Sequence, residues 1–230
     1  MKRVLFGLFV LLPLFAGCHS PVYTIEPFEA WAVDAESGDP IEGANVVATW
    51  ALFEDGWHGH HFREMLEVKE TVTDKNGRFA FPGFKLYNPR LDNLMEDPKI
   101  IIFKPGYEFA RRTNGCGEGA QGDCRWATRI AVIAGQKVKM KKVDYSLAGR
   151  VASPLTGMQR DLYTGLSTQM DYVLESCETK KIPLFYQAIQ AEELQLKSAG
   201  LYSRNSLPSV QGRHELRCGL RNEAFTGQKK

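Results

Sequence analysis

Glu70-Thr-Val-Thr-Asp-Lys-Asn-Gly-Arg-Phe-Ala-Phe81 sets the fold class. Thr71 to Thr73 is β-branched, Arg78 to Phe81 alternates, and Asn76-Gly77 between them tolerates φ > 0, so the stretch predicts a β-hairpin of two paired strands about a tight turn. The same reading extends in both directions. Phe28-Glu-Ala-Trp-Ala-Val33 sets Phe28, Ala30 and Ala32 on one side, with Trp31 and Val33 on the other. Asn45 to Phe53 is β-branched and aromatic. Lys99-Ile-Ile-Ile-Phe103 is continuously apolar, the pattern of a central strand buried on both faces. Pro105-Gly106 turns the chain into Tyr107 to Arg111. Gln136 to Lys141 alternates Val138 and Met140 inward with lysines outward. Seven short strands separated by turn residues predict a mostly β protein built on a seven-stranded sandwich over residues 27–143.

Beyond Asp144 the period changes to helical. Leu162, Leu166, Met170, Val173, Leu174 and Cys177 share one face. A second helix is expected over Pro183 to Ala199, with Phe185, Ala188, Ile189 and Leu196 as its stripe and Glu192 interrupting it. A third short one is expected at His214 to Cys218. Residues 144–221 therefore read as an α-helical C-terminal region and 222–230 as a polar tail.

Three groups of residues carry a resemblance. They are Val33-Asp-Ala-Glu-Ser-Gly-Asp-Pro-Ile-Glu-Gly-Ala-Asn-Val46, Thr73-Asp-Lys-Asn-Gly-Arg-Phe79 and Phe103-Lys-Pro-Gly-Tyr107. Together they resemble the carboxypeptidase regulatory-like domain. That resemblance implies a transthyretin-like sandwich and a non-catalytic accessory or adhesive role. Trp31, where the family has Gly, departs from the pattern, as does the long stretch from Tyr87 to Pro98.

The N-terminus reads as an export signal. Lys2 and Arg3 precede an apolar run from Val4 to Phe15, and Ala16-Gly17 follows. As a helix the run spans roughly 18 Å, short of a hydrocarbon core of ~30 Å. Leu14-Phe-Ala-Gly-Cys18 resembles the bacterial lipobox, which implies cleavage after residue 17, diacylation of Cys18 and insertion of its acyl chains in a bilayer. His19 is not the Asp that favours inner-membrane retention, so the outer membrane is expected. Residues 18–26 read as a tether.

Composition narrows the functions. The chain is 24% charged and 43% hydrophobic, which fits neither a disordered nor a polytopic membrane protein. Its 29 basic side chains, less Lys2 and Arg3, leave 27 against 27 acidic ones. A balance near zero removes the electrostatic case for binding nucleic acid.

Setting Cys18 aside leaves Cys116, Cys124, Cys177 and Cys218, an even set that suggests two disulfides in an exported chain. Four cysteines allow three pairings, and spacing favours 116–124 with 177–218. No CxxC pair supports a zinc site. Phe53 to Glu67 reads as a polar loop carrying His58, His60 and His61, which offers zinc or copper ligands. His-x-His also suggests an intradiol dioxygenase, but that family's Tyr six residues earlier is Leu52 here. No HExxH helix is present and no GxSxG, Walker or GxGxxG motif follows a strand; the Gly-rich Cys116 to Cys124 loop lacks Lys and does not open a helix.

The expected function is thus a non-enzymatic, cofactor-free lipoprotein of the cell envelope that binds a protein or glycan. Metal handling by the histidine segment is the alternative, and a hydrolase with a dispersed site is a third.

Overall fold

The computed structural model describes residues 22–57, 59–88, 93–94, 96–114, 128–143, 173 and 177–198. The fold is mostly β. Its strands are β1 Val22–Ile25, β2 Phe28–Asp34, β3 Asn45–Gly56, β4 Gly59–Val72, β5 Arg78–Phe81, β6 Phe84–Tyr87, β7 Asn93–Leu94, β8 Glu96–Phe103, β9 Ala110–Asn114, β10 Thr128–Arg129 and β11 Lys137–Met140. One α-helix, α1 Pro183–Ser198, follows a 3-10 turn at Glu178–Lys181.

Six of the seven strands read from the sequence are present, the one read at Tyr107 to Arg111 is displaced to Ala110–Asn114, and seven is not the count. The others are β1, β6, β7 and β10, each of two to four residues, too short to show a period. One of them falls in the expected tether. Val22–Ile25 pairs antiparallel with β6 and parallel with β10, so the tether ends in a strand of the sandwich.

One layer is the sheet β4-β3-β8-β9; the facing layer comprises β10-β1-β6 and β11-β2-β5. Between them Ala30, Ala32, Val46, Ala48, Trp50, Leu52, Phe79, Ile100, Ile102 and Val138 form the main core. Burying each large side chain contributes roughly 1.5–3 kcal/mol. The alternate positions of the central strands face the other way. Val47, Val68, Ile101 and Phe103 pack on Ile182, Phe185, Ala188 and Ile189, with Val173 joining them. Phe103 and Phe185 meet edge to face at 5.9 Å. The continuous run Ile100 to Phe103 is thus buried on both faces, as its pattern required, because α1 covers the outer one.

The turn at Asp74–Gly77 joins two sheets rather than two paired strands. Thr73 holds the end of β4 in one layer: its Oγ1 donates to the Ile41 carbonyl at 2.6 Å and accepts from the Ala44 N–H at 2.8 Å. Beyond the turn, Arg78–Phe81 pairs with β2 in the other layer. Within it, Asp74 Oδ1 accepts the N–H groups of Asn76 and Arg78. Gly77 adopts φ +71°, and a Cβ there would stand 2.4 Å from the Ala32 carbonyl oxygen.

The up-and-down course of the chain fixes two ends. From Val22 the chain descends through β1 and β2 to Asp34, rises through β3 to Gly56, and descends again through β4 to Val72. It then rises through β5 and β6 to Tyr87, which pairs with Val22. Val22, Tyr87 and the β3–β4 tip therefore lie at one end, here the arm end. The turns at 34–40, 73–78 and 104–108 lie at the other, the loop end.

Candidate functional site

At the arm end the stretch Phe53 to Glu67 is no loop. It forms the upper half of a hairpin whose pairing continues to Gly56↔Gly59, with His60 opposite Asp55 and His61 opposite Glu54. Phe62 stacks edge to face on Phe53 at 6.1 Å, and Arg63 Nε lies 3.0 Å from Glu54 Oε2. The register skips Leu66 and Arg63, each an extra β4 residue that shifts the phase of side-chain alternation. Two phase shifts leave no steady period, which is why the segment reads as a loop.

His60 and His61 accordingly belong to a ladder. His61 is exposed, and no group of three His, Cys, Asp or Glu gathers among the described residues. His58 lies outside them. Trp57, at the tip, is 98% exposed.

The loop end gathers buried polar groups that the sequence did not single out. Asp34, 3% exposed, accepts four bonds: from the N–H groups of Glu36 (2.9 Å) and Ser37 (3.0 Å) on Oδ1, and from Tyr107 Oη (3.2 Å) and Lys142 Nζ (3.1 Å) on Oδ2. The two backbone N–H groups foremost, then the Lys142 ammonium, hold its carboxyl well below the usual carboxylate range. Burial raises the Tyr107 phenol above its ordinary value, and the bond to Asp34 adds to this. Asp three residues before Ser37-Gly38 is an Asx-turn signal that could have flagged this residue.

Glu192 of α1 is buried and accepts the Gly106 N–H at 2.8 Å. The residue that breaks the helix's apolar stripe therefore fastens the Pro105-Gly106 turn. At the helix start, Glu70 on β4 accepts the N–H groups of Leu184 (3.1 Å) and Phe185 (2.5 Å). A carboxylate at a helix N-terminus satisfies orphan donors and opposes the helix dipole. Burial nevertheless pushes the Glu70 carboxyl up, outweighing the two N–H groups. Lys181 Nζ bonds Glu67 at 3.1 Å beside it.

These contacts give the loop end a fixed shape. Asp34, Tyr107 and Glu192 are engaged there by the chain's own turns. Cys177 is disulfide-bonded. Cys18, Cys116, Cys124 and Cys218 lie outside the described residues, as do Trp126, the helix expected before Cys177 except Val173, the short helix at 214–218 and the tail. Among the described residues no helix is long and apolar enough to cross a membrane.

No protein-family model matches the chain, and no curated protein does. Solved structures similar to it include the 3-chlorocatechol 1,2-dioxygenase of Rhodococcus opacus 1CP, at 19% identity over 52% of this chain and 60% of that one, TM-score 0.30. A point mutant of the catechol 1,2-dioxygenase of Acinetobacter radioresistens aligns at 16% identity over 54% and 53%, TM-score 0.32. A 9R-lipoxygenase from Cyanothece PCC8801 aligns at 11% identity over 86% and 29%, TM-score 0.28. The chain thus spans less than two thirds of each of these proteins. At these TM-scores the alignments assign neither a fold family nor a chemistry.

Proposed function

We propose that this chain is a membrane-tethered, non-catalytic module of the cell envelope. It is anchored through acylated Cys18, most simply in the outer membrane, and binds an envelope protein or glycan with the loop end of a sandwich of the carboxypeptidase regulatory-like kind. The observation that carries this reading is the pinning of three adjacent turns by Asp34, Thr73 and Glu192. A surface held rigid before binding loses little conformational entropy on contact, and that favours recognition. Val22, the first described residue, lies at the opposite end, so a tether leading to it leaves these turns directed away from the bilayer.

The test places a photo-crosslinking residue at Glu36 or Lys75, both exposed on the turns, in intact envelopes. The expected result is capture of the same identified envelope protein or glycan from both positions. Acylated protein that captures nothing from either position overturns the binding role. Wild-type protein found without acyl chains, soluble in the periplasm, overturns the anchoring, as would a Cys18→Ala variant indistinguishable from wild type in mass and membrane association.

A further inference from the structure

We propose that the tip of the β3–β4 arm is a second membrane contact, with Trp57 and Tyr87 seated in the headgroup layer of the bilayer that holds the acyl chains of Cys18. This inference rests on the anchoring reading above and adds a surface to it. Two facts of the fold carry it. The first is exposure at one end: Trp57 is 98% and Tyr87 66% exposed, and both lie at the arm end. The second is where the chain begins. Val22 pairs with Tyr87, so the described chain starts beside Tyr87 and at the same end as Trp57. Cys18 precedes Val22 by four residues, which reach at most ~14 Å when extended.

The anchor therefore holds the arm end, and not the loop end, close to the membrane surface. Tryptophan and tyrosine suit that place, since each joins an apolar ring to a polar atom and gathers at the boundary between hydrocarbon and water. A contact too weak to hold a free protein becomes populated once the tether makes it intramolecular. Attraction to anionic lipid contributes little, because Arg63, the one Lys or Arg between Phe53 and Glu67, pairs with Glu54 beside the tip. The contact is accordingly with the interface itself and is insensitive to salt.

The test uses the full-length acylated protein in vesicles of phosphatidylethanolamine and phosphatidylglycerol, with and without bromine on the acyl chains. Subtracting the emission of Trp57→Ser, and independently of Trp57→Phe, isolates the Trp57 fluorescence. Brominated lipid is expected to quench that component in low and high salt alike, and Tyr87→Ser to lower the quenching at an unchanged unfolding midpoint. A Trp57 component that stays unquenched, while the acylated protein floats with the vesicles, overturns this inference and leaves the anchoring intact. So does an unquenched Trp57 whose position crosslinks to an envelope protein, which would give the tip a protein partner. Protein that carries no acyl chain and does not float overturns both readings together.

Discussion

The carboxylate of Glu192 in α1 accepts the backbone N–H of Gly106 at 2.8 Å, across 86 residues of chain. One buried side chain thereby ties the helix on the outer face of the sheet to a turn at the loop end. Packing of Phe185 and Ile189 against Ile101 and Phe103 supplies the adhesion, and Glu192 supplies the register.

Glu192→Ala leaves the Gly106 N–H without its acceptor. Losing an acceptor of this kind costs about 1–3 kcal/mol. Denaturant unfolding should show a lower midpoint at an unchanged slope, and Glu192→Gln, which keeps a carbonyl oxygen, should recover most of the loss. Equal losses in both variants would mean that the charge, and not the bond, matters.

Asp34 makes stability depend on acidity in a defined direction. Its folded value lies below the ordinary 3.8, so its contribution is complete above that value and is lost as pH falls through the folded one. Urea midpoints measured from about pH 6 down to about pH 2 should fall, and fall less steeply in Asp34→Asn. Parallel acid limbs for the two proteins would remove Asp34 as a cause.

Two glycines at similar φ separate backbone strain from crowding. Gly38 (φ +78°) has nothing within 4 Å of a built Cβ, whereas Gly77 (φ +71°) has the Ala32 carbonyl oxygen at 2.4 Å. Gly38→Ala should cost about 1–2 kcal/mol, the usual strain of a left-handed residue. Gly77→Ala should cost clearly more, since backbone must move. Similar thermal midpoints for the two variants would contradict this.

The histidine segment is expected to be dispensable for folding. Replacing His58, His60 and His61 with Ala should change unfolding free energy by less than about 1 kcal/mol, as at most exposed positions. Elemental analysis of protein purified without a histidine tag checks the chemistry. Stoichiometric zinc or copper that vanishes in the triple variant would bring the metal-handling reading forward.

Much of the sandwich was legible because burial in a strand is written at a period of two. Phe28, Ala30 and Ala32 point into the core, and so do Val138 and Met140. The unbroken apolar run Ile100 to Phe103 announced cover on both faces, and Pro183 to Ala199 announced the helix that provides it. What failed to show was whatever depends on a distant partner. Asn76-Gly77 marked the turn but read as a hairpin, whereas the next strand crosses to the other layer, with Thr73 bound to Ile41 and Ala44 where the last one ends. The arm from Phe53 to Glu67 hid because two bulges reset its alternation.

Local period and backbone preference were therefore enough to specify the fold class, six of the strands, the turn positions and the extent of α1. Packing was needed to settle the strand order, the parallel pairing of β2 with β11, the tasks of Asp34, Glu70 and Glu192, and the placing of Trp57 at the same end as Val22. The difference is one of range. A side chain's burial preference is its own, but a hydrogen-bond partner tens of residues away is chosen only when whole sheets and a helix pack together.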